Sequence, residues 1–64
     1  MAEARNYLDR FMTVYSSLPL EERKLPVVVV SSEPISWNMA YAEIKANTEL
    51  GLQIAEKMVV LKII

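Results

Sequence analysis

Val27 to Val30 are four consecutive valines, and the chain of 64 residues holds no other β-branched run of that length. Branching at Cβ stiffens the side chain and favours an extended backbone. An extended segment must place its N–H and C=O groups on a neighbour. Three partners are open. Residues 33–36 can fold back in a tight hairpin. The same strand of a second copy can pair antiparallel about a two-fold axis. Or the segment runs extended through a helical core without pairing. The intervening Ser31-Ser32-Glu33-Pro34 has no Asn-Gly or Asp-Gly pair, so its hairpin signal is weak. All four valines are apolar, which predicts cover on both faces.

Helical patterns surround the strand. Residues 2–17 carry Ala4, Tyr7, Leu8, Phe11, Met12, Tyr15 and then Leu18 at three- and four-residue steps, an amphipathic helix. Tyr7, Phe11 and Tyr15 form an aromatic ladder on that stripe and read as core. Ser16 and Ser17 fray the helix end. Pro19 favours the first turn of a short helix over 19–24, with Glu21 and Glu22 near its positive end. Pro26 ends it and pushes Leu25 to an extended conformation.

Ser36 reads as the N-cap of a helix over 37–46, striped by Trp37, Ala40, Tyr41 and Ile44. Asn47 suits a left-handed helix end, and Thr48 suits the cap of a last helix over 49–62. That helix has two apolar stripes, Leu50-Ile54-Met58-Leu61 and Leu52-Ala55-Val59-Ile63, so burial on more than one side is expected. Gly51, the single glycine, reads either as a poor helix residue tolerated in the first turn or as a point of close helix contact, the second slightly preferred. The expected fold is α+β and mostly helical. It runs helix, short helix, one central strand or short hairpin, and two C-terminal helices, in one small domain over 1–64.

Small chains bury too little surface to be stable without help. Disulfides and Cys/His zinc sites are closed to this one, which has no Cys and no His. Yet its apolar fraction is 53%, above the roughly 45–50% of globular domains. Self-association, a homodimer foremost, is the expected outlet for the surplus, with another protein partner as a further option. Candidate interface residues are Val27, Val28, Val29, Val30, Trp37, Leu52, Val59 and Ile63. Trp37 also suits the core, its ring covering the valines.

Catalysis has little to work with. Without His and Cys the common general base and the thiol nucleophile are missing. One glycine cannot make a phosphate loop. Glu21 and Glu22 are adjacent and diverge on a helix, so they do not form an acid/base pair. Ser31, Ser32 and Glu33 read as turn residues rather than a ligand site. No catalytic residue, metal ligand or cofactor is expected.

The expected function is a non-catalytic protein-interaction or assembly module. The alternative is a small DNA-binding regulator. After Pro26 the order strand, helix, helix is that of ribbon-helix-helix regulators, and residues 37–62 allow a helix-turn-helix. Against both, the valines offer no base-reading side chain, and Glu49 lies where phosphate would sit. The net charge is −1 and the basic residues are scattered, which argues against nucleic acid as a partner. No apolar run reaches the length of a membrane span. The first ten residues carry Glu3 and Asp9 without an apolar core, unlike a signal peptide. A cytoplasmic location is expected.

Overall fold

The computed structural model describes residues 3–64. A 3-10 turn over Ala4–Tyr7 leads into α1, Leu8–Tyr15. A second 3-10 turn spans Glu22–Lys24. Strands β1, Pro26–Val30, and β2, Glu33–Ser36, follow, and then helices α2, Trp37–Ala46, and α3, Glu49–Val60. The fold is α+β, with an antiparallel two-stranded hairpin and two C-terminal helices.

The valine strand finds its partner within its own chain. Val30 pairs with Glu33, Val29 with Pro34, Val28 with Ile35, and Pro26 with Ser36 across a bulge that leaves Val27 extra. Ser31 and Ser32 close the loop with φ of 52° and 67°. Two successive positive φ values are the signature of the type I′ turn, whose twist matches the strands it joins. Serine supplies this geometry without the usual Asn-Gly, which is why the loop gave so faint a signal.

The expectation that both faces of β1 are covered is corrected. Val28 and Val30 are buried, whereas Val29 between them is 49% exposed. Side chains alternate across a strand, and the hairpin offers only one face to the helices. A run of four identical residues hides that alternation.

The expected first helix starts as a 3-10 turn because no side chain caps it at Glu3 or Tyr7, and tighter bonds then take up the free amides. It stops where Ser16 Oγ and Ser17 Oγ donate back to the carbonyls of Met12 and Val14. Pro19 accepts from Glu22 N at 3.0 Å and opens the next turn.

Local caps set the C-terminal half. Ser36 Oγ accepts from Met39 N, and Thr48 Oγ1 accepts from Gly51 N. Asn47 takes φ 58°, with Asn47 N bonded to Ile44 O and Thr48 N to Glu43 O. Lys62 takes φ 60° and repeats the pattern, with Lys62 N on Val59 O and Ile63 N on Met58 O. Both are the paired bonds of a Schellman ending. The second ends α3 at Val60, short of the expected residue 62, and turns Ile63 back toward the core.

The core lies between the hairpin and the helices. Phe11, Ile35, Ile44, Ile54 and Met58 are its largest fully buried side chains. α2 and α3 approach so closely at Gly51 that a Cβ there would lie 2.3 Å from the Glu43 carbonyl oxygen. On α3 the buried residues are Gly51, Ile54, Ala55 and Met58, one face of the helix. Leu50, Leu52 and Val59 flank it half-buried, and Leu61 is exposed. The expected burial on two sides is therefore one broad face with partly covered flanks.

Candidate functional site

Trp37, Phe11, Tyr15 and Tyr41 form a continuous aromatic column. Ring centroids are 5.7 Å apart for Phe11–Trp37, 5.4 Å for Phe11–Tyr15 and 5.0 Å for Tyr15–Tyr41. The Arg23 guanidinium sits 4.4 Å from the Tyr15 ring centroid, and Lys45 Nζ 5.5 Å from that of Tyr41. Arg23 Nε is buried without a hydrogen-bond acceptor. The negative face of the Tyr15 ring offsets its charge electrostatically. Tyr15 Oη donates to Asn38 Oδ1 at 2.7 Å. These groups are occupied with one another. The column joins α1 to the hairpin–α2 junction, and Trp37 contributes to it as core, half-buried against Phe11.

The basic side chains are similarly engaged. Arg10 Nη2 donates to the Ile64 carbonyl at 3.2 Å, Arg23 Nη2 to the Ser16 carbonyl at 3.4 Å, and Lys57 Nζ to the Val29 carbonyl. With Lys45 on Tyr41, four of the seven basic residues make intramolecular contacts. They do not converge into a patch that would follow a phosphate backbone.

A shallow depression of about 320 Å³ lies where the chain start meets the α2–α3 corner, lined by Glu3, Ala4, Asn47, Thr48, Glu49 and Leu52. Arg5 N donates to Asn47 Oδ1 beside it, and Thr48 Oγ1 donates to Glu43 Oε1 at 2.6 Å. The Asn47 amide and Thr48 hydroxyl are bonded to their own neighbours, and the carboxylates of Glu3 and Glu49 have no basic counterpart in the lining. Among the described residues no His/Cys/Asp/Glu group is placed to hold a metal ion.

The apolar surface is the informative feature. Of the expected interface residues, Val28 and Val30 are taken up by the protein's own core. Val29 is exposed, and Val27, Trp37, Leu52, Val59 and Ile63 are half-buried. Outside that set, Val60 and Leu61 form an adjacent exposed pair. Val60 is 78% exposed and Leu61 53%. Leu61 reads from periodicity as part of a buried stripe, but the chain reversal at Lys62 leaves it beyond the last packed turn. Lys57, Val60 and Leu61 share one side of α3, at steps of three and four. Lys57 reaches the outer edge of β1, so the exposed end of α3 and that edge adjoin. Leu20, Leu25 and Met39 are exposed elsewhere.

Among the described residues, no helix is long and apolar enough to cross a membrane. No protein-family model matches the chain, and no curated protein or solved structure matches it either.

Proposed function

We propose that the protein is a non-catalytic interaction module that self-associates, with a dimer as the assembly, through the apolar end of α3. The observation that supports this reading is the adjacent pair Val60 and Leu61, largely uncovered by the fold. Half-buried Val59, Ile63 and Ile64 surround the pair, and Lys62 is the only charged residue from 59 to 64. Apolar side chains left in water favour association by about 25 cal/mol for each Å² removed. A dimer about a two-fold axis would place the same patch on itself.

Light scattering on a sizing column tests this, over a range of protein concentrations. The expected result is a mass rising from monomer toward dimer as concentration increases. Replacing both residues, Val60→Lys with Leu61→Lys, should return the mass to that of a monomer. Their exposure means that thermal unfolding should change little. A wild-type chain that remains monomeric throughout would sink the reading, as would a double variant that keeps the wild-type mass.

A further inference from the structure

A two-stranded sheet has two free edges, and each is a template for another strand. In an antiparallel pair, opposed residues alternate between exchanging hydrogen bonds and turning their N–H and C=O outward. The two-residue loop fixes the phase. Val30–Glu33 and Val28–Ile35 face inward across the ladder, and Val29–Pro34 turns outward. Pro34 thus has no N–H where an outward donor would stand, and its neighbour Glu33 is charged. The outer edge of β2 is closed to pairing.

The outer edge of β1 differs. Pro26 removes a donor at its start, but Val29 keeps both its N–H and its C=O pointing outward. Its side chain is exposed, and Pro26–Val30 is uncharged and rich in β-branched residues. Such a segment pairs readily with its own copy. About a two-fold axis, Val29 of each chain would exchange both bonds with Val29 of the other. The Val29 carbonyl is instead taken by Lys57 Nζ, from the exposed side of α3. We infer that Lys57 is a guard on the β1 edge, and that its contact with the Val29 carbonyl blocks antiparallel β1–β1 pairing between two copies of this chain. A lysine suits the task because any strand that displaced it would also have to desolvate or eject its charge. Loss of this one ammonium by substitution would unlock the edge.

The test uses the full chain with Lys57→Met, which keeps an apolar stem and loses the ammonium. Mass by light scattering is read together with the infrared amide I band of intermolecular antiparallel sheet. At equal concentration Lys57→Met should show roughly a doubling of mean mass over wild type and gain the sheet band, while Lys57→Arg stays at wild type. Adding Val29→Pro to Lys57→Met removes the outward N–H that the hairpin does not use, and should abolish both gains. Lys57→Met at wild-type mass and spectrum overturns the guard role. So does added mass without the sheet band, or added mass that survives Val29→Pro. Lys57→Gln guards against a folding artefact: loss of structure by circular dichroism in both variants would make Lys57 a residue of the fold and overturn the inference. The comparison is with wild type, so a monomeric wild type sinks the self-association reading while leaving this one standing.

Discussion

Gly51 shows how one atom sets the distance between two helices. Alanine is the better helix former by about 1 kcal/mol, so Gly51→Ala would stabilise α3 in isolation. Here the new methyl would meet Glu43 O at 2.3 Å and the Glu43 carbonyl carbon at 2.6 Å, both backbone atoms. Backbone yields only by moving a helix, and overpacking of this kind costs about 1–3 kcal/mol. The clash outweighs the propensity gain. Gly51→Ala should be destabilised by about 1–2 kcal/mol in urea unfolding, and an unchanged midpoint would contradict the close approach. The same corner shows which residues announce themselves. Ser36, Asn47 and Thr48 make their helix-end bonds within five positions along the chain, so their capping roles are visible in the sequence. Gly51 reads from the sequence as either a tolerated first-turn residue or a contact, and the structure decides for contact. The depth of that contact depends on α2, and no spacing rule carries it.

At the level of elements, the hairpin is the least self-evident part. Serine at two successive positive φ values is a strained choice, since a Cβ disfavours the left-handed region. The type I′ geometry accepts Asn and Gly far more easily. The pair of substitutions Ser31→Asn and Ser32→Gly should therefore stabilise the protein by about 0.5–1 kcal/mol, the relief of left-handed strain less the added chain entropy of glycine. A rise of thermal midpoint at unchanged mass is the expected observation, and a fall would show that these serines serve something other than the turn. The strand itself is plain in the sequence, because four β-branched residues leave few alternatives. Its partner is not, for Glu33-Pro34-Ile35-Ser36 has a single apolar side chain. That strand exists because Ile35 is fully buried opposite Val28, and Pro34 falls on a register position that needs no N–H. Both facts are long-range or phase-dependent. The exposure of Val29 and the reach of Lys57 follow from the same phase, and for that reason neither could be assigned from periodicity.

The molecule as a whole closes a core without outside help. Its surface of 4200 Å² matches the roughly 4,200 Å² that a folded monomer of this mass exposes. The surplus of apolar residues therefore does not leave the core open. It appears as individual side chains on the outside, Leu20 at 71% exposed and Val60 and Leu61 at the end of α3 among them. This alters what the composition implied. The self-association proposed above would then be an addition to a finished fold, not the staple that makes folding possible. It should then behave as an apolar contact does. Raising the salt concentration should leave the mass distribution unchanged or shift it upward with sulfate, and dissociation by salt would point to an ionic interface instead. The surplus was legible from composition, but its location was not, because position on the surface depends on where α3 ends and the chain turns back.

Trp37 gives all of this an optical handle. It is the only tryptophan in the chain. Its indole lies at the junction of β2 and α2 and touches Phe11 of α1. The sole strong fluorophore therefore watches the seam where the first helix meets the rest. Its emission colour reports whether that seam is dry. Each substitution described above can be sorted by that one signal into those that open the seam and those that change only the company the molecule keeps.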